Sequence, residues 1–144
     1  MLADDFGQFL EEVRNRRRPG YVGGIAIPRP AGLDERQSAD LAAETCSLRA
    51  LGERWVDISD QEAQILVEDF LYLDLAYNIP GMMVHEAPPL AARFMTFTRA
   101  PRTCLTNTRS RRESWHPLSN ATFDAGVVCI DAEQVVFLWV EDED

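Results

Sequence analysis

The chain has no lysine: all 14 of its basic residues are arginine, set against 24 acidic ones for a formal charge of −10 over 144 residues. That surplus of acid argues against duplex nucleic acid as a partner, because neutralising phosphates needs a basic face. The exclusive use of arginine fits a GC-rich coding genome as well as any physical demand. Histidine is nearly missing. His85 and His116 lie far apart, with neither helical i, i+4 spacing nor a paired cysteine, so they form no zinc pattern. Cys46, Cys104 and Cys129 are an odd set without a CxxC pair, which excludes a disulfide framework and leaves buried thiols as the expectation. No GxGxxG or GxxxxGK[ST] turn occurs, no EF-hand loop occurs, and neither cofactor nor metal is expected. No apolar run approaches the ~20 residues of a membrane span. The opening Met1-Leu2-Ala3-Asp4-Asp5 is acidic where a secretion signal needs a basic region, so a soluble, cytoplasmic chain is expected.

What is present reads as one domain over residues 1–144. Phe6, Phe9, Leu10 and Val13 recur at helical spacing, with acids early and arginines late, predicting a helix over 4–18 that Pro19-Gly20 stops. Residues 21–32, rich in glycine and proline, read as a loop with at most a short edge strand. Alanine- and leucine-rich residues 34–51 predict a second helix. Ser59 followed three residues later by Glu62 is a capping box. It opens a central helix over 60–77, with Ala63, Leu66, Val67, Phe70, Leu73 and Tyr77 on one face. Pro88-Pro89 begins a further helix to about Phe97, and 103–108 read as a strand. Residues 126–130 and 135–140 are β-branched and aromatic, joined by a segment of hairpin length at 131–134. Helices first and strands last, without βαβ alternation, predict an α+β fold. Its helices are expected to pack on one face of a small antiparallel sheet that ends in a C-terminal β-hairpin.

Charge patterning is the sharpest signal. From Phe123 to Asp144 there is no basic residue, and the last strand runs out into Glu141, Asp142, Glu143 and Asp144. Carboxylates delivered into solvent at one point repel each other and attract a basic partner, although like-charge termini are often only solvated. Neutralising the four together is therefore expected to leave the fold intact. The arginines concentrate at 14–18 and 93–112, either covering acids within the fold or forming a second interface. Cys104, His116 and Asp124 are the one set of nucleophile, base and orienting types near each other in sequence, at a spacing that matches no known motif. A cysteine in an apolar strand more often belongs to the core.

The stretch Ser114-Trp115-His116-Pro117-Leu118-Ser119-Asn120-Ala121-Thr122-Phe123-Asp124-Ala125-Gly126-Val127-Val128, followed by a hairpin and Leu138-Trp139-Val140-Glu141-Asp142-Glu143-Asp144, resembles small acidic immunity proteins encoded beside bacterial polymorphic or contact-delivered toxins. The resemblance covers the C-terminal part of the chain. It implies a non-catalytic cytoplasmic inhibitor that occludes the basic active site or substrate groove of a cognate toxin domain. On that reading Trp115, His116, Asp124, Glu141, Asp142, Glu143 and Asp144 contact the partner. Trp115 and Trp139 are candidate aromatic anchors, although Trp139, in mid-strand, fits a core position better. Two other readings remain: an adaptor or effector chaperone holding a segment of a partner, and a small enzyme using Cys104 or His116.

Overall fold

Capping chemistry sets where the helices begin. The computed structural model describes residues 2–109 and 116–143. Its elements are α1 (Leu2–Arg16), β1 (Tyr21–Pro28), α2 (Glu35–Thr45), β2 (Val56–Ile58), α3 (Asp60–Tyr72), α4 (Ala87–Met95), β3 (Thr103–Thr106), β4 (Phe123–Ile130) and β5 (Gln134–Asp142). The capping box opening α3 is formed: Glu62 N–H donates to Ser59 Oγ at 3.0 Å, and Ser59 N–H donates to the Glu62 carboxylate at 3.0 Å. Hydrogen bonding to the carboxylate from the Ser59 N–H, and after it from the Ser59 side chain, holds the Glu62 carboxyl below its usual value. Asp34 and Gln37 make the same arrangement at the start of α2.

The helix ends differ from the sequence expectation, and for local reasons. α2 stops at Thr45 because Ser47 takes left-handed backbone, φ 62°, and Leu48 N–H returns to Ala43 C=O. Asp40 then accepts from Leu51 N–H, Gly52 N–H and the Trp55 indole, drawing the following segment back onto the helix and burying Trp55. α3 ends at Tyr72 rather than Tyr77. Asp74 Oδ1 accepts from Ala76 N–H at 2.7 Å and Tyr77 N–H at 3.0 Å, so its side chain offers the backbone a turn that competes with the helix. Tyr77 leaves the expected apolar face and is exposed.

All five strands pair antiparallel in the order β1-β5-β4-β3-β2. The α+β class and the C-terminal β4–β5 hairpin are as expected. Residues 21–32, read as a loop with at most a short edge strand, contain the eight-residue edge strand β1, paired with β5 from Tyr21↔Glu141 to Pro28↔Gln134. Its glycines serve close approach rather than turning: a Cβ on Gly23 would lie 2.3 Å from the Trp139 ring, and one on Gly24 2.8 Å from Phe137 O.

The helices do not all lie on one face, which corrects the expectation of a single covered side. Period-2 alternation sends Val136, Leu138 and Val140 of β5, with Val127 and Cys129 of β4, against α1, α3 and α4. The alternate residues Val135, Phe137 and Trp139, with Val128 and Ile130, pack against α2 and Trp55. Both faces of β4 and β5 are thus covered, which explains their nearly continuous apolar sequence.

Candidate functional site

The end of β5 divides its acids between two faces and does not present them together. Asp142 follows Val136, Leu138 and Val140 at even spacing, so it turns inward beneath the helices, and its side chain is 0% exposed. There it meets Arg17, also 0% exposed: Arg17 Nη1 donates to Oδ1 at 2.9 Å and Nη2 to Oδ2 at 2.7 Å. The guanidinium also donates to the carbonyls of Phe70, Leu73 and Pro19, and Leu75 N–H donates to Asp142 Oδ2 at 2.8 Å. One buried pair therefore ties together the ends of α1, α3 and β5 and the segment after α3. Asp142 is withdrawn from the expected partner-binding patch, and the four terminal acids cannot be neutralised together without touching the fold.

Glu141 points to the other face, where it accepts the Trp139 indole N–H at 2.8 Å. Trp139 is buried and stacks on Phe137, so it is a core residue. Glu141 and Trp139 line a cleft of about 580 Å³ together with Arg14, Tyr21, Cys46 and Arg49. That cleft carries both signs of charge and selects neither a cation nor an anion. Burial pushes the Cys46 thiol up, away from reactive thiolate. Glu143 is exposed and accepts from the Thr122 hydroxyl at 2.6 Å. Asp144 and Trp115 lie outside the described residues.

Asp124 is likewise not a surface acid. Only 3% exposed, its carboxylate accepts from Leu118 N–H, Ser119 N–H, the Ser119 hydroxyl and Asn107 Nδ2. Asn107 completes the arrangement by donating to His116 C=O at 3.0 Å and accepting Gly126 N–H at 2.9 Å. Sequence reasoning passed over Asn107, whose short polar side chain fastens the 116–119 segment to the sheet. His116 is half-buried and bound here through its backbone.

Cys104 lies on the opposite face from Asp124. Its Sγ sits 3.5 Å from Cys129 Sγ and 3.5 Å from Asp60 Oδ1. Contact with the Cys104 thiol, reinforced by burial, pushes the Cys129 thiol well up. The sequence-level set of Cys104, His116 and Asp124 is therefore not brought together. Among the described residues, no three His, Cys, Asp or Glu side chains are placed to hold a metal ion.

Ion pairing accounts for the arginine segments in part. Among the described residues Arg16 pairs with Glu12 and Glu86, Arg17 with Asp142, Arg29 with Glu35, Arg36 with Asp57, Arg93 with Glu12 and Arg102 with Asp60. Six arginines and six acids take part, so the excess of carboxylate is untouched.

The feature that the sequence reading missed is apolar. Five of the seven exposed large apolar side chains among the described residues, Ile65, Tyr77, Ile79, Met83 and Val84, belong to α3 or to the connection between α3 and α4. Ile65 and Val84 are 59% and 70% exposed and line one groove of about 290 Å³ with Tyr72, Ala87, Glu68 and Asp69. Of the five, Ile65 and Val84 are brought together in this groove, and exposed apolar side chains that share a groove make it a candidate interaction surface, whereas scattered ones need no explanation. The Arg17–Asp142 pair holds the acidic end of β5 against the same connection through Leu75. No family model, curated protein or solved structure matches the chain. Among the described residues, no helix is long and apolar enough to cross a membrane.

Proposed function

We propose that this chain is an immunity-type inhibitor that binds a basic toxin domain, with the groove between α3 and the 77–84 connection as its docking surface. The observation that carries this reading is one groove that holds exposed Ile65 and Val84 beside Glu68 and Asp69 on a chain of net charge −10. Apolar anchors supply the desolvated centre of an interface, and surrounding carboxylates steer a basic partner and set register. Exposed Glu143, outside the groove, adds to the overall negative field that steers a basic partner.

The test is co-expression with the product of the gene immediately upstream, which this reading expects to end in a toxin domain. A one-to-one complex and protection of the cell are expected, with both lost in an Ile65→Arg/Val84→Arg variant whose melting temperature is unchanged. Full protection by that variant would remove the groove from the interface.

The same groove also favours an adaptor or chaperone holding an apolar segment of its partner. The two readings separate on what is bound. A chaperone captures an isolated peptide as tightly as the intact partner. An inhibitor needs the folded domain and abolishes its activity at one equivalent.

A further inference from the structure

The two edges of the sheet are built differently. β2 is short, and its one charged residue, Asp57, pairs with Arg36, whose Nη2 also donates to Trp55 C=O. Short length and charge are the devices that keep an edge from recruiting another strand. β1 has neither. Its eight residues, Tyr21-Val22-Gly23-Gly24-Ile25-Ala26-Ile27-Pro28, carry no charge, and its single proline is at the very end.

Three contacts show which backbone groups of β1 face outward. Cβ positions built on Gly20 and Gly24 fall 2.8 Å from Glu141 O and Phe137 O, so those carbonyls point at β1. With Tyr21 opposite Glu141 and Ile25 opposite Phe137, the odd-numbered residues of β1 bond to β5. Arg14 Nε donates to Val22 O at 2.6 Å from the other side, as required if even-numbered residues face away. Gly24 and Ala26 are half-buried, and their outward N–H and C=O groups have no hydrogen-bond partner among the described residues.

We propose that β1 pairs antiparallel with β1 of a second copy, about a twofold axis at Ile25, to make a continuous sheet across a dimer. In this register Gly24 of one protomer and Ala26 of its partner exchange both backbone bonds. Ile25 meets its own symmetry mate in the closely spaced, non-bonded position.

A foreign strand is the weaker fit. Specificity in strand addition comes from pockets for alternate side chains; the one cleft beside this edge among the described residues, at Gly24, is lined by Arg14 and Arg49 as well as Glu141 and is matched to no single kind of side chain. A second copy brings its own complement. Val22 opposes Pro28 of the partner, so Arg14, anchored at Val22, approaches the end where exposed Glu133 holds Arg29 N–H. Because β2 is blunted, the contact is isologous and closes at two copies. This inference is independent of the inhibitor reading.

Sedimentation of the purified chain from about 1 µM to about 1 mM tests it. A monomer–dimer equilibrium is expected, and it should tighten with added salt because each copy carries −10. Ala26→Pro deletes an outward N–H that the isolated protomer does not use, so the melt of dilute protein should be unchanged while the dissociation constant rises at least tenfold. Ile25→Lys and Ile25→Glu should each be monomeric, and an equimolar mixture of the two should dimerise again. A wild-type chain monomeric throughout, an Ala26→Pro variant that still dimerises, or folded charge variants that fail to reassociate on mixing would each overturn the proposal.

Discussion

Replacing Asp142 with Asn isolates the consequence of burying a terminal acid. The substitution keeps the volume, removes the charge facing Arg17, and puts an amide donor where the guanidinium needs an acceptor. Two short contacts from Arg17, at 2.7 and 2.9 Å, and one from Leu75 N–H at 2.8 Å are weakened together in a place water does not reach. Removing one partner of a buried pair costs about 3–5 kcal/mol, because the other charge stays buried and unpaired. That is a large share of a domain's ~5–15 kcal/mol. It corresponds to a melting temperature lower by about 10–20 °C. Glu143→Gln, one residue along but exposed, should fall within ~0.5 kcal/mol of wild type. Urea unfolding of the two variants makes the comparison. An Asp142→Asn midpoint that matches Glu143→Gln would refute the reasoning, since the pair would then contribute no more than a surface ion pair. Combining Arg17→Met with Asp142→Asn should cost less than the sum of the single changes. Full recovery is not expected, because the carbonyls of Phe70 and Leu73 would still lose their donor.

Burial works against the charged form of Asp131. N–H donors from Arg99, Glu133 and Gln134, with help from the Arg102 charge, outweigh it and hold the carboxyl below its usual value. A depressed folded value means the stabilisation is complete above the unfolded value and disappears as pH falls through the folded one. Asp131→Asn should therefore be less stable than wild type at neutral pH and converge with it on acidification; a gap that stays constant down to pH ~2 would contradict this. Ser59→Ala removes the α3 cap and should cost ~1 kcal/mol by thermal melt, with no loss meaning that the box contributes little. Neutralising Glu68 together with Glu143 should slow association with a basic partner at low salt and lose its effect at high salt, measured by stopped flow. An effect that is the same at both salt concentrations would place the two carboxylates outside the steering field.

Much of this was already written in local pattern. The α+β class, the α3 capping box and the β4–β5 hairpin follow from spacing, cap chemistry and β-branched runs, which act over a few residues. Even the burial of Asp142 was legible: it shares the even-numbered face of Val136, Leu138 and Val140, as Arg17 continues the helical stripe of Phe6, Leu10 and Val13. Counting charge alone obscured it, because a carboxylate at a chain end looks solvated until its partner, distant in sequence, is known. Three features belong to tertiary structure only. β1 looked like a loop because its glycines answer to Trp139 and Phe6, side chains brought in from elsewhere. α2 crosses to the second face because β5, inserted between β1 and β4, has two apolar faces to cover. The exposed groove arises where Asp74 turns the chain out of α3, leaving Ile65 and Val84 without a covering element. Periodicity tells which side of an element is apolar, but whether that side is covered depends on what the rest of the chain places over it.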